Sequence, residues 1–174
     1  AVLLHTDGYV YLVGGRAQSD YGPVGAQILA RAPVARVDIE GGAGFRELQY
    51  WAGAQAGWQP KASVAAELFA GRFTEGSLVR MGGDFFFVGL QAFDRSVSIF
   101  FASSLTGPWS DARVLYTLPP LPANATLAYG AKAHAELSRS ADELVVSYNT
   151  NGALSSLSSS LGVYHPLFFR ARRC

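Results

Sequence analysis

The fold is decided by residues 78–88, which read Leu-Val-Arg-Met-Gly-Gly-Asp-Phe-Phe-Phe-Val. A short apolar run is joined here to a run of aromatic and β-branched residues through Gly-Gly-Asp, a sequence that suits a tight turn. Such runs fit a half-buried, pleated surface, so the stretch predicts an antiparallel hairpin. Residues 3–13 and 136–146 repeat the pattern. A third apolar strand follows each unit, at residues 27–32, 97–103 and 165–171.

This repeat predicts an all-β fold built from the antiparallel blades of a β-propeller. We place the blades at about residues 1–58, 73–118 and 130–174 of a single partial propeller domain. Between the first two blades, residues 61–70 have helix-like spacing. They predict either a helix of one or two turns or a connector between blades.

The strands within each blade can be placed more closely. Fourth strands are expected at residues 45–51 in the first blade and 113–118 in the second. For the third blade the sequence predicts strands near residues 133–138, 143–149 and 165–172 and no fourth strand. An open sheet edge is an aggregation hazard that proteins normally cover, and propellers usually have at least about four blades. We therefore expect the chain to be the C-terminal part of a larger ring, completed by an N-terminal segment or by another chain.

Composition and charge narrow the class of protein. The 174 residues are 49% hydrophobic, 13% aromatic and 16% charged, which is typical of a compact β-rich domain and excludes a disordered chain. The net charge is +1, so nothing in the bulk charge indicates a nucleic-acid or membrane partner. No apolar run approaches the roughly 20 residues that cross a bilayer.

Two features at the surface favour a secreted protein. Asn124-Ala125-Thr126 is an N-glycosylation sequon in a proline-rich loop, where glycans are accepted. Cys174 is the single cysteine, so it cannot form an internal disulfide; it is a free thiol or pairs outside this chain. We expect a secreted glycoprotein with Asn124 glycosylated.

The second blade carries a specific resemblance. Residues 74–80 contain Glu75-Gly76-Ser77, residues 83–88 form an aromatic strand, and residues 101–109 end in Thr-Gly-Pro-Trp. These motifs resemble one blade of the five-bladed propeller glycosidases of the arabinanase and β-xylosidase group. In that group a Glu-Gly-Pro segment begins the blade that bears the general acid, and this chain has Ser77 in place of the proline.

The other two blades are similar to a neighbouring group of secreted propellers. That group is mostly uncharacterised and includes endo-acting arabinan hydrolases. The resemblance is carried by short motifs at residues 7–12, 29–33, 50–51, 147–151 and 164–166. Together the resemblances imply the C-terminal blades of a five-bladed, glycoside-hydrolase-like propeller.

Glu75 is the candidate catalytic residue. Glycoside hydrolysis uses two carboxyl groups that flank the scissile bond, and the resemblance implies that Glu75 is the general acid. The alternative interpretation is a solvated glutamate that caps a loop. The resemblance places the second carboxylate on a blade that this chain lacks. Asp7, Asp84 and Asp142 recur at equivalent turns, so we interpret them as turn residues.

His134 and Asn149 are the candidate substrate-binding residues. Alternate strand residues share a face, so His134 and Glu136 are expected to point the same way. We expect His134 at the channel mouth, leading its strand as Glu75 leads the strand of the second blade. There it could bind a sugar hydroxyl, tune a carboxylate or hold a metal, whereas the alternative is a hydrogen-bonded structural histidine. Asn149 suits either sugar recognition or a turn.

The remaining candidates indicate structure rather than chemistry. Trp51, Trp58 and Trp109 could stack on sugars, but tryptophans that pack within blades are the commoner case. The sequence contains no phosphate-binding glycine loop and no clustered metal-ligand spacing, so we expect neither a cofactor nor a metal. Two functions remain open: a glycoside hydrolase-like protein that acts on a polysaccharide, or a catalytically silent carbohydrate-binding or structural propeller. A propeller fold alone does not decide between them.

Overall fold

The computed structural model describes residues 1–17, 24–38, 40–41, 44–73, 75–91, 94–140, 142–153 and 163–172. Cys174 lies outside these residues. The chain forms two compact units, one comprising Ala1–Arg72 with Ser104–Trp109 and the other comprising Phe73–Ser103 with Ser110–Cys174.

The first unit is built around one antiparallel sheet. The strands of the unit are β1 (Val2–Leu4), β2 (Tyr9–Ala17), β3 (Val24–Pro33), β4 (Val37–Asp38), β5 (Gly44–Phe45), β6 (Gln49–Trp51), β7 (Trp58–Gln59) and β8 (Glu67–Ala70). The sheet order is β1-β2-β3-β6-β7, with β8 also paired to β3, and β4 pairs with β5 separately. The hairpin predicted at residues 3–13 is confirmed, because Leu3 lies opposite Tyr11.

Two details of the first unit differ from the sequence-based expectation. The fourth strand expected at residues 45–51 is split into β5 and β6, because Glu47 adopts a left-handed backbone with φ 55° that an extended strand cannot contain. Residues 61–70 form a three-residue 3-10 turn at Ala62–Val64 followed by β8. Burial of Phe69 and its pairing with Gln27 of β3 outweigh the local preference for helix.

The second unit begins with a four-stranded sheet. Its strands are β9 (Gly76–Met81), β10 (Asp84–Leu90), β11 (Ser96–Ala102) and β12 (Arg113–Thr117), in the order β12-β11-β10-β9. Gly82 and Gly83 connect β9 to β10 with φ values of 59° and 101°, a left-handed conformation that glycine adopts readily. The hairpin at residues 78–88 is therefore as the sequence predicts, and β12 lies where a fourth strand is expected.

A three-stranded sheet completes the second unit. Its strands are β13 (Ala125–His134), β14 (Glu143–Gly152) and β15 (Pro166–Arg172), in the order β13-β14-β15. The expected first strand at residues 133–138 is wrong, because β13 ends at His134 and Ala135–Leu137 form a 3-10 turn. Ser138 closes that turn: its hydroxyl donates to the His134 carbonyl and accepts from the Val145 amide. Within the described chain, β15 pairs with β14 alone.

The core of the second unit lies between its two sheets. Val88, Val97 and Val146 are completely buried there, and Leu144 and Tyr148 pack with them. Each such side chain contributes about 1.5–3 kcal/mol relative to an exposed one. The Tyr116 ring also stacks on Phe169 with centroids 4.2 Å apart. This packing holds β9 beside β13, so residues distant in sequence become neighbours.

The predicted fold class is confirmed: the chain is all-β, with successive antiparallel sheets of the kind that form a partial propeller. The number of blades in a complete ring and the blade boundaries stay predictions. Among the described residues, no helix has the length and apolar character that a bilayer crossing requires.

Candidate functional site

Close packing behind Glu75 determines where its backbone lies. Gly76 follows it directly, and a Cβ at Gly76 would lie 2.4 Å from a ring carbon of Phe87. A Cβ at Gly89, opposite Gly76 in the sheet, would lie 2.7 Å from Phe73 and 3.2 Å from the Glu75 carbonyl oxygen. Only glycine leaves room for the two phenylalanine rings, whose centroids are 5.3 Å apart. The sequence Glu75-Gly76 therefore places the glutamate at the start of β9, above a packed aromatic layer.

The carboxylate of Glu75 forms an ion pair with Lys132 of β13. The Lys132 Nζ lies 3.2 Å from the Glu75 Oε2 and also donates to the Gly76 carbonyl at 3.4 Å. The side chains of Lys132 and Glu75 are 41% and 46% exposed. We therefore expect the ion pair to add only about 0–1 kcal/mol to stability. Its main effect is positional, because it holds the carboxylate at the surface of the unit.

A bulge in β13 brings Asn149 to the same place. The register between β13 and β14 shifts between Tyr129 and Lys132, and Gly130 within that shift has φ 64°. A Cβ at Gly130 would lie 3.2 Å from the Glu75 Oε2 and 3.6 Å from the Asn149 Nδ2. The carboxylate and the amide thus converge over a residue that has no side chain.

Two tyrosines border this convergence. Tyr129 lies directly opposite Asn149 in the sheet, and its phenol is hydrogen-bonded to that of Tyr164. That hydrogen bond, followed by burial and by the charges of Tyr164 and Glu75, raises the pKa of Tyr129 to about 12. Tyr129 is a neutral phenol near pH 7, as an ordinary tyrosine is.

We call Glu75, Tyr129, Lys132, Asn149 and Tyr164 the Glu75 cluster. It presents a carboxylate acceptor, an amide, an ammonium donor and phenol groups around Gly130. This set matches a ligand rich in hydroxyl groups. Sequence reasoning found Glu75 and Asn149 but not Lys132 or Tyr129, because it began the strand that carries them at residue 133.

His134 does not occupy the expected position. It is the last residue of the ten-residue strand β13 and does not lead that strand. Its Nε2 lies 2.8 Å from the Ser147 Oγ, its Nδ1 lies 3.2 Å from the Glu136 Oε1, and its ring lies 6.0 Å from that of Phe168. The equivalence with Glu75 fails because β13 begins at Ala125. Contact between His134 and a substrate stays a prediction.

The turn and packing interpretations agree with the contacts observed in the first unit. Asp7 accepts hydrogen bonds from the Tyr9 amide at 3.1 Å and the Tyr11 hydroxyl at 2.7 Å, which stabilises the first hairpin. Trp51 and Trp58 pack against each other with centroids 5.5 Å apart.

Trp109 is likewise used in packing. Its indole N–H donates to the Leu105 carbonyl at 3.1 Å, and its ring lies 5.3 Å from that of Phe69. The three tryptophans thus have structural partners within the first unit.

The sequon lies at an accessible turn. Asn124 is exposed with φ 72°, immediately before β13, and Thr126 is exposed as well, with its hydroxyl donating to the Asn151 carbonyl at 3.3 Å. Accessibility is what glycosylation needs, and the modification itself stays a prediction. Among the described residues, no three His, Cys, Asp or Glu side chains are grouped so that they could hold a metal ion.

The chain belongs to a family defined by sequence. The family model described as "Domain of unknown function (DUF5005)" matches residues 1–173. That match covers nearly the whole chain, so the chain is a member of the DUF5005 family. The comparison with curated protein sequences gives no match.

Two solved structures are similar to the chain. A candidate hydrolase from Bacteroides ovatus has 22% sequence identity and a TM-score of 0.69, over 97% of this chain and 43% of that one. An exo-β-1,3-galactanase from Phanerochaete chrysosporium, crystallised with β-1,3-galactotriose, has 14% identity and a TM-score of 0.38, over 97% of this chain and 44% of that one. The first similarity shows a shared fold, whereas the second is too weak to carry an argument. The chain spans less than half the length of either protein.

Proposed function

We propose that this member of the DUF5005 family is a secreted, carbohydrate-active propeller of the glycoside-hydrolase type, which acts on or binds a polysaccharide. The observation that carries the proposal is the convergence of Glu75 and Asn149 over Gly130. Carboxylate and amide groups are partners that sugar hydroxyls use, and Tyr129 adds a phenol group beside them. The shared fold with a candidate hydrolase supports the proposal without specifying a substrate.

In the hydrolytic form of the proposal, Glu75 donates a proton to the glycosidic oxygen. The reaction requires a second carboxyl group about 5–10 Å away, on the other side of the scissile bond. We expect that group on a blade outside this chain. Asn149 and Tyr129 would bind hydroxyl groups of the sugar and hold its glycosidic oxygen near Glu75.

The ion pair between Glu75 and Lys132 favours a second candidate function. A carboxylate held by an ammonium group is an acceptor of hydrogen bonds. In a catalytically silent carbohydrate-binding propeller, the same cluster would recognise a glycan without cleaving it. The two candidate functions share the site and the class of ligand. They differ in whether Glu75 donates a proton to the glycosidic oxygen or only accepts hydrogen bonds from the glycan.

Replacing Glu75 by glutamine separates the two candidates. The substitution keeps the shape of the side chain and removes the titratable proton, so the fold is expected to survive. We would measure reducing-sugar release and binding on arabinan-type and xylan-type polymers with the complete protein. If Glu75 is the general acid, Glu75→Gln lowers turnover by about two to four orders of magnitude and leaves polymer binding nearly unchanged.

A binding role gives a different result. The unmodified protein would then release no sugar, and Glu75→Gln would weaken polymer binding by about tenfold or more, through loss of a charged hydrogen-bond acceptor. Glu67→Gln, an exposed glutamate on β8, is the matched control and should change neither readout. Equal activity and equal binding in Glu75→Gln and the unmodified protein would remove Glu75 from the site.

A further inference from the structure

A pocket lies at the opposite end of β9 from Glu75. Its volume is about 320 Å³, and it is lined by Arg80, Ser138, Arg139, Ser140 and neighbouring residues. Typical ligand pockets measure about 300–1,000 Å³, so this one suits a small group. Glu75 and Arg80 are separated by about 17 Å of extended strand. The pocket is therefore distinct from the Glu75 cluster.

The pocket contains two arginine side chains that are not ion-paired among the described residues. Arg80 and Arg139 are exposed, and neither guanidinium forms an ion pair within the described part of the chain. The Arg80 guanidinium lies 5.7 Å from the centroid of the Phe85 ring, a contact that limits its freedom. Ser138 and Ser140 add hydroxyl groups at the same pocket.

The carboxylate in the pocket, Glu143, already has its partners. It is 2% exposed, and it accepts hydrogen bonds from the guanidinium groups of Arg170 and Arg172 and from the Arg139 amide. Arg170 and Arg172 stay 45% and 75% exposed, so part of each guanidinium still faces solvent. The guanidinium groups of Arg170 and Arg172 thus contact one oxygen each of this buried carboxylate.

The other acidic side chains near this end of the unit lie outside the pocket. Asp84 and Asp142 line an adjoining cavity of about 340 Å³ together with Arg113 and Arg172. Glu136 is paired with His134. The pocket around Arg80 and Arg139 therefore keeps a net positive charge.

We propose that this arginine pocket, formed by Arg80, Ser138, Arg139 and Ser140, binds carboxylate groups of a uronate-bearing polysaccharide. Guanidinium groups recognise planar carboxylates by paired hydrogen bonds. The Ser140 hydroxyl can bind a ring hydroxyl next to a carboxylate. The exposed parts of Arg170 and Arg172 offer contacts to further carboxylates along the polymer. The inference rests on the proposed function only in taking a glycan as the ligand.

Calorimetric titration of the whole chain with galacturonate oligomers tests the inference. We expect binding that weakens as salt is added, because charged contacts are screened. The double variant Arg80→Gln/Arg139→Gln should bind about ten- to hundredfold more weakly, as expected for loss of hydrogen bonds to a charged group. Arg36→Gln/Arg46→Gln removes two exposed charges elsewhere and should bind normally.

Several outcomes would overturn the inference. The inference fails if galacturonate does not bind, or if the two double variants lose the same amount of galacturonate affinity. It also fails if a sulfated polymer binds more tightly than galacturonate and the Arg80/Arg139 substitutions abolish that binding. Thermal melting of the variants checks that they are folded. If neutral arabinan binds through Glu75 while galacturonate does not bind, only the arginine pocket is refuted and the proposed function survives.

Discussion

Gly130 is the residue on which the geometry of the Glu75 cluster depends. It is buried, it has a left-handed backbone with φ 64°, and it faces both the Glu75 carboxylate and the Asn149 amide. Glycine meets both demands because it has no Cβ. Any other residue would strain the bulge and would also occupy the space in which the two side chains converge.

We predict that Gly130→Ala lowers both stability and glycan binding. The left-handed conformation costs an alanine about 1–2 kcal/mol, and its Cβ would lie 3.2 Å from the Glu75 Oε2. Chemical denaturation would measure the first effect and titration with the polymer bound by the unmodified protein would measure the second.

Gly57→Ala is the control for that prediction. Gly57 has φ 64°, and a Cβ there would meet nothing within 4 Å. The Gly57→Ala protein should therefore lose a similar amount of stability and keep its glycan affinity. A Gly130→Ala protein with unchanged affinity would show that the glycan does not contact the space above Gly130.

At the scale of elements, the pairing of β14 with β15 shows how alternation organises charge. Arg170 and Arg172 are two residues apart on β15 and lie opposite Val145 and Glu143 of β14. Because alternate strand residues share a face, both guanidinium groups reach the one carboxylate of Glu143. The two strands are thereby joined by side chains as well as by backbone hydrogen bonds.

We predict that Glu143 makes stability depend on pH in the acid range. Burial alone would raise the pKa of Glu143, but the hydrogen bonds from the Arg139 amide and from Arg170 and Arg172 outweigh it and hold the pKa below the usual 4.5. The unfolded chain therefore binds the proton more readily than the folded one. The stabilisation is present above about pH 4.5 and is lost as pH falls through the lower, folded-state value.

Thermal melting between pH 3 and pH 7 would measure that dependence. Glu143→Gln should melt at a lower temperature at pH 7, because it leaves Arg170 and Arg172 without their counter-charge. Its melting temperature should also change less between pH 3 and pH 5 than that of the unmodified protein. Parallel pH profiles for the two proteins would contradict the assignment.

At the scale of the whole molecule, the proposal that this propeller is secreted depends on the N-glycosylation sequon at Asn124. Asn124 and Thr126 are both exposed at the turn before β13, so a glycosylating enzyme could reach the sequon. This position is at the start of a strand and away from the buried core between the two sheets of the second unit. A glycan there would not disturb packing.

We predict that Asn124 carries an N-linked glycan when the chain passes through a eukaryotic secretory pathway. Treatment with an N-glycosidase should then increase its gel mobility. Asn124→Gln and Thr126→Ala should each abolish that shift, because both destroy the sequon, whereas Asn151→Gln should leave it intact. An enzyme-insensitive mobility in the unmodified protein would rule the glycan out.

Local sequence predicted the elements whose partners are close in the chain. The hairpin of β9 and β10 was predictable because Gly82 and Gly83 make its turn and the flanking runs are rich in apolar, aromatic and β-branched residues. The start of β13 was not predictable in this way. Its partner β14 follows a 3-10 turn, and the pairing is set by contacts that span up to 27 residues, from Ala125 to Gly152.

The sequence by itself determined the all-β class, the hairpin turns and the two candidates Glu75 and Asn149, since each depends on nearby residue types. Only the tertiary structure decided that these two converge over Gly130, that Lys132 pairs with Glu75, and that His134 lies at the far end of its strand. The physical reason is register: one bulge at Gly130 changes which β13 side chains meet β9 and β14. Packing between distant strands selects that register.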